Sequence, residues 1–290
     1  MDRRKLSMGI SGHWKAIIKS YILKFLNFIF PDITLKLLSS RSRYYIEKGA
    51  REDGLRELAL LASSETSGEV FYGPFKGVRF SYEYLPVHAA PCFIGSYEKE
   101  IHEFIESCIT AAPEQILVVG SSFGFYAVGF LKRLPSATVY FAEADNKSKN
   151  ATLRNGALNG VEGRLVSIGI IHSGEFGRYL SKSDQLAVLD CEGAEFALLD
   201  PSKDKILANT NILVEIHPTH GSVADLEERF RDTHEIDVVF ARPRSFDDMP
   251  DPLRGRIPLD ALDERRDPHQ QWAYFRVKNV DPHQSAALLA

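Results

Sequence analysis

Cysteine is scarce: Cys92, Cys108 and Cys191 are the only three in 290 residues, and no two form a C-x-x-C pair. An odd count without paired spacing excludes a disulfide framework, argues against a zinc site and suits a reducing compartment. A secretory leader is missing as well. The N-terminus is basic, but Lys19 and Lys24 break its apolar stretch and no small-residue cleavage site follows. No uninterrupted apolar run is long enough to cross a bilayer. A cationic surplus is also absent, and a net charge of −4 speaks against a general nucleic-acid binder. There is no G-x-G-x-x-G, internal repeat or low-complexity tract. These absences predict a cytoplasmic protein.

What is present is an ordinary globular composition, 44% hydrophobic and 26% charged. It suffices for one large domain with appendages. The chain is organised around Ile116 to Glu143. Ile116, Leu117, Val118 and Val119 read as a buried strand running into Gly120. A helical pattern starts after Gly124 (Phe125, Val128, Leu131, Leu134) and stops at Pro135. A second strand, Thr138 to Ala142, ends on Glu143. This β-turn-α-β unit places a nucleoside at the strand tips, with the glycines allowing close approach and the acid accepting from both ribose hydroxyls. Bulky Phe123 disfavours a close phosphate. The looser G-x-x-x-G therefore fits S-adenosylmethionine better than a dinucleotide, the alternative being an ordinary α/β turn with a surface glutamate.

Residues 1–68 read as an N-terminal helical extension and 69–290 as the main domain. The extension is basic, with eleven Lys/Arg against three Asp/Glu up to Arg51. Within it, His13 to Phe30 is an amphipathic helix (Trp14, Ile17, Ile18, Tyr21, Ile22, Phe25, Leu26, Ile29) closed by Pro31. It reads either as a helix lying on the inner face of an anionic membrane or as one packed on the main domain or a partner subunit of a homo-oligomer. Ser40 to Ala62 suggests one or two short helices, Ser63 to Gly68 a polar linker, and Val70 to Tyr84 a β-hairpin. Ile94 to Glu98 is a loop opening a helix. Tyr97 and Glu98 there would close over a ligand or simply serve the helix start. A second crossover helix spans Asn146 to Asn159. Further strands are predicted at Arg164–Ile168, Gln185–Asp190, Asn211–His217, Ile236–Ala241 and Gln271–Val277, with a helix at Val223–Phe230. This alternation implies a doubly wound, mostly parallel α/β sheet. The charged stretch 242–269 would be a substrate lid, with arginines for a phosphate or carboxylate on the acceptor, or a solvated loop.

Three predicted strands end in polar groups on one sheet edge: Glu143, Asp190 with Glu192, and Glu215 with His217. Open α/β sheets bind ligands at that edge. Asp190 reads equally as the N-cap of the next helix, and His217 as a hydrogen-bonded strand-end imidazole.

Asp190-Cys191-Glu192-Gly193-Ala194-Glu195, with Val214-Glu215-Ile216-His217 one strand later, resembles the signature of the FkbM-type S-adenosylmethionine-dependent methyltransferases. Asn155 and Asn159 match the N-x-x-x-N-G pattern at the end of that family's second helix, and the resemblance covers roughly Ile94 to His217. It implies a Rossmann-like class I methyltransferase fold and methyl transfer to oxygen on a sugar or other small hydroxylated metabolite. It also implies cofactor contacts from Gly120, Ser121, Gly124, Tyr126, Glu143, Ala144, Tyr97 and Asp190. Val118 and Ala144 depart from the pattern, Val118 replacing an acid that commonly meets the methionine ammonium group; Tyr97, Glu98 or a backbone carbonyl would compensate. For catalysis, His217 or Asp190 would take the acceptor proton, with Glu192 or Glu215 orienting the acceptor. A metal bridging Asp190 and Glu215 is conceivable, but the resemblance points to activity without one. The competing readings are an NAD-dependent oxidoreductase or epimerase and a non-catalytic binding protein on the same fold.

Overall fold

The computed structural model describes residues 40–81, 89–181, 185–217, 221–267 and 269–278. The amphipathic stretch at 13–30 lies outside them. From Arg56 onward the chain forms one compact unit. Among the described residues no helix is long and apolar enough to cross a membrane.

Helix α1 (Ser40–Glu65) is a single helix that runs into the expected linker. Its last turns bury Ala59, Ala62 and Ser63, and Gly68 closes it with φ of 74° and a bond from its N–H to Ser63 O at 2.7 Å. Small serines pack wherever their Cβ faces the core, so polar composition here marks a helix end rather than a tether. The expected hairpin is reduced to one bridge, Glu69 to Arg79. Its ladder stops because Phe71 N–H turns to Phe93 O at 2.8 Å, and Phe75 is withdrawn into the core. Phe75 lies over Gly129, where a Cβ would come within 2.5 Å of its ring.

Two short helices, α2 (Ala89–Ile94) and α3 (His102–Thr110), lead into the sheet. It is then built from β1 (Gln115–Val119), α4 (Phe125–Arg133), β2 (Thr138–Ala142), α5 (Asn146–Leu158), β3 (Leu165–Gly169), β4 (Gln185–Leu189), α6 (Glu195–Leu198), β5 (Asn211–Ile216), α7 (Val223–Phe230), β6 (His234–Phe240) and β7 (Gln271–Val277). The strand order is β3-β2-β1-β4-β5-β7-β6. Only β7 runs against its neighbours. This is the doubly wound, mostly parallel, Rossmann-like sheet that the alternation of strands and helices predicted.

Each central strand feeds two apolar layers. Ile116, Val118, Val139, Phe141, Leu186, Val188 and Leu213 point into one, Leu117, Val119, Ala187, Leu189, Ile212 and Val214 into the other. Side chains alternate across a pleated strand, so a sheet covered on both faces needs the continuous apolar runs seen in the sequence. Asp145 caps α5 by accepting from Ser148 N–H at 2.8 Å, and Ser222 with Asp225 forms the capping box of α7. Asn155 and Asn159 staple α5 to its surroundings. Asn155 donates to Phe123 O at 2.7 Å and accepts from Ser81 N–H at 2.9 Å, while Asn159 pairs both ways with the Arg79 backbone.

Candidate active site

The parallel register brings the polar strand ends together. Val119 pairs with Ala142 and with Leu189, and Leu189 with Val214. Gly120, Glu143, Asp190 and Glu215 therefore stand side by side at the tips. Gly120 has φ of 82°, and a Cβ there would sit 1.7 Å from Asp190 O. No other residue fits where the β1 turn crosses the end of β4.

A cleft of about 750 Å³ opens over these tips, within the size range of small-molecule sites. It is lined by Gly120, Ser121, Tyr126, Glu143, Ala144, Tyr97, Asp190, Glu192, Glu215 and His217, all of them residues singled out from the sequence. Gly124 is not in the lining. With φ of 94° it turns the chain into α4, and a Cβ there would press on Thr152 at 3.2 Å, so its part is to bring α4 and α5 together. Ser121 bonds Thr152 Oγ1 at 3.0 Å. Ile170 and Ile171, after β3, supply an apolar wall.

Glu143 is held from two sides: Ser122 N–H donates to Oε2 at 2.8 Å and Asp145 N–H to Oε1 at 2.9 Å. Each carboxylate oxygen keeps a second lone pair for a ligand. The polar end of the cleft is built differently from the sequence expectation. Glu195, fully buried, accepts from His217 N–H at 2.9 Å, from His217 Nδ1 at 3.0 Å and from Gly193 N–H at 2.9 Å. Burial alone would raise its pKa, but these donors outweigh it and hold the carboxyl below its ordinary value. In return the Glu195 bond raises the His217 pKa. The N-cap role considered for Asp190 falls to Ala194, with no side-chain bond, and the Asp190 carboxyl is left facing the cleft.

The stretch 242–269 is neither a solvated loop nor a source of free arginines. Met249, Leu253, Ile257 and Leu262 are buried in the core, and Lys99 and Arg242 meet Asp248 at 2.9 and 2.8 Å. Arg244 pairs with Glu100 at 2.5 Å and Glu264 at 2.7 Å. Arg266 reaches Glu98, Glu215, Glu264 and, at 2.8 Å, the Tyr97 hydroxyl. Arg265 is paired with Asp263 at 3.5 Å. Two guanidinium groups, Arg244 and Arg266, therefore face the four carboxylates Glu98, Glu100, Glu215 and Glu264, with Asp190 adjacent. Burial pushes Glu98 and Asp190 well up, and lifts Glu215 to about 6.

Glu195, Glu264 and Arg266 were not assigned from sequence. Glu195 carried a signal, an acid opening an otherwise apolar helix. Arg266 carried none, since one arginine among many in a charged loop is indistinguishable until the loop folds back.

No family model matches the chain, and no curated protein matches it. Among solved structures it is similar to the O-methyltransferase TomG from Streptomyces achromogenes in complex with SAM, at 10% identity, covering 60% of this chain and 77% of that one with a TM-score of 0.40. It is also similar to the SAH-bound Podospora anserina methyltransferase PaMTH1, at 15% identity over 62% and 78% of the two chains with a TM-score of 0.40. A third likeness is to a putative O-methyltransferase from Klebsiella pneumoniae, at 10% identity over 82% and 96% with a TM-score of 0.39.

Proposed function

We propose that the chain is an S-adenosylmethionine-dependent O-methyltransferase acting on a hydroxyl of a sugar or other small hydroxylated metabolite. The observation that carries this reading is the placement of Glu143 beside the Gly120 turn, its two oxygens preset by Ser122 and Asp145 to receive a ribose. The residues fit the cofactor: Ile170 and Ile171 offer an apolar wall for a base. Among the described residues the arginines lining the cleft, Arg265 and Arg266, are paired with Asp263 and Glu98 rather than left for a pyrophosphate. The acids Asp190 and Glu215 suit the cationic end of an amino-acid moiety. When bound, the cofactor supplies a methyl group already activated by its sulfonium. What remains for the protein is to align an acceptor oxygen and accept its proton. Asp190 or His217 would take that proton, a reading supported by the Glu195 bond to Nδ1, which leaves Nε2 on the side of Asp190.

Calorimetric titration of the full chain with S-adenosylhomocysteine and with NAD tests the reading. Saturable binding of the nucleoside alone is expected. Binding of NAD alone, or of neither, would overturn it. With an acceptor in hand, Asp190→Asn and His217→Ala should each cut turnover while leaving cofactor affinity nearly intact.

A further inference from the structure

Every position from Asp263 to Asp267 is charged, and Glu264, Arg265, Arg266 and Asp267 form one wall of the cleft. Firm anchors lie on either side. Leu262 is buried before the segment; after it, Gln270 donates to Ile216 O at 3.0 Å and accepts from Ala241 N–H at 2.8 Å. Residues 263–267 have no apolar side chain to bury, so ion pairs and hydrogen bonds hold them in place.

Those contacts converge on Arg266. Its guanidinium stands 5.2 Å from the centre of the Tyr97 ring and donates to the Tyr97 hydroxyl at 2.8 Å. It also pairs with Glu98, with Glu215 and, at 3.1 Å, with Glu264. Glu264 in turn accepts from Glu98 N–H at 3.1 Å. One side chain thus ties the segment to the loop before α3 and to the tip of β5. The backbone is left-handed on both sides of this joint, with φ of 47° at Glu98 and 54° at Arg265. Neither is a glycine, and strain of that kind gathers at clamps and switches.

The same joint covers Glu215. That residue lines the cleft yet is only 4% exposed, with Oε1 taken by Arg266. A ligand reaches this oxygen only after the guanidinium has left it.

We infer that residues 263–267 are a latch, fastened while Arg266 occupies Glu215 and released to admit an acceptor to the β5 tip. Water hydrates both halves of an ionic joint once it parts, and no apolar surface has to be exposed. Release therefore costs much less than global unfolding. Arg266 is a built-in competitor: an acceptor that gains from Glu215 shifts the segment toward its released state by its difference in affinity for the two. The acceptor's part rests on the methyltransferase reading; the latch itself does not.

The test is carboxyl footprinting of the full chain. A water-soluble carbodiimide with glycine ethyl ester labels accessible carboxylates, and mass spectrometry reads each position. Glu192, whose side chain is 90% exposed, is the internal standard. Tyr97→Phe keeps the ring and removes one hydrogen bond to Arg266; Glu98→Gln removes one charge from its socket. Labelling of Glu215 relative to Glu192 should rise about fivefold in the first variant and about tenfold in the second, the worth of a hydrogen bond without and with a charged partner. Hydrogen exchange in peptides covering 263–267 should rise in step, while exchange in β4 stays at the wild-type rate in Tyr97→Phe. That variant decides the matter alone where Glu98→Gln does not fold. Glu215 labelling unchanged in Tyr97→Phe, or a rise matched by faster exchange in β4, overturns the latch. No nucleoside enters the measurement, so the latch and the methyltransferase reading fail separately.

Discussion

Replacing Arg266 by Met is the sharpest test of how the cleft wall is held. Methionine keeps a stem of similar length and apolarity up to the guanidinium and removes the charged group. Arg266 is 16% exposed and bonds Glu98 and Glu264, which are buried, together with Glu215 at the β5 tip. Removing one partner of a buried ion pair costs about 3–5 kcal/mol, because the other charge is stranded. Here the stranded groups are carboxyls that burial already biases toward the neutral form, with Glu215 at about 6. They can escape by taking up protons, and each pH unit above a group's pKa makes that escape about 1.4 kcal/mol more costly. The loss should therefore be about 4 kcal/mol at pH 8 and smaller by about 2 kcal/mol or more at pH 5. For a unit of this size that is a fall of roughly 10 °C in Tm at the higher pH. Urea unfolding followed by circular dichroism at the two pH values measures both. Equal losses at pH 5 and pH 8, or a loss under about 1 kcal/mol at pH 8, would refute the account of a guanidinium neutralising buried acids.

Glu143→Ala should lower S-adenosylhomocysteine affinity by about thirtyfold, the equivalent of about 2 kcal/mol for losing hydrogen bonds to a charged group. Calorimetry reads this, with Tm held within a few degrees as the control. Gly120→Ala should cost several kcal/mol or prevent soluble expression, because the added carbon meets Asp190 O at 1.7 Å in a left-handed turn; a soluble variant with unaltered Tm would contradict this. Asp248, paired with Arg242 and Lys99, is held well below the ordinary carboxylate range, chiefly by the Arg242 hydrogen bonds. Its folded pKa lies below its unfolded value of about 3.9, so its contribution is complete above about pH 4 and is lost as pH falls through the folded pKa. Asp248→Asn should lower urea midpoints at pH 7 and flatten their decline between pH 4 and pH 2, as followed by fluorescence.

The sheet was legible because its strands are short apolar runs ending in acids, and their period and punctuation depend on local chemistry alone. Helix α7 and strand β7 fall on their expected bounds for that reason. The linker at Ser63–Gly68 and the hairpin after Val70 were misjudged for the opposite reason. Serine content does not reveal that Ser63 faces a core, and alternation does not reveal that Phe71 bonds to the distant Phe93. The strand-tip residues of the cleft could be found because register carries polar strand ends to one edge. Arg266 and Glu264 could not, since Arg266 meets Glu215, Glu98 and Tyr97 at 51, 168 and 169 positions' remove along the chain and Glu264 accepts from Glu98 N–H at 166. Glu195 was visible as a letter in the Asp190–Glu195 segment, but its hold on His217 depends on how two strand ends meet.

The reversed strand β7 has a consequence for how such a protein can change. Its first residue, Gln271, stands level with Phe240 at the end of β6 and with Ile216 at the end of β5. Both anchors of the intervening chain therefore sit on the rim above the cleft. Residues gained or lost between them would remodel the entrance to the cleft and leave the seven-stranded floor in register. What the cleft admits can thus drift by insertion and deletion at one place while the Gly120 and Glu143 strand tips stay as they were.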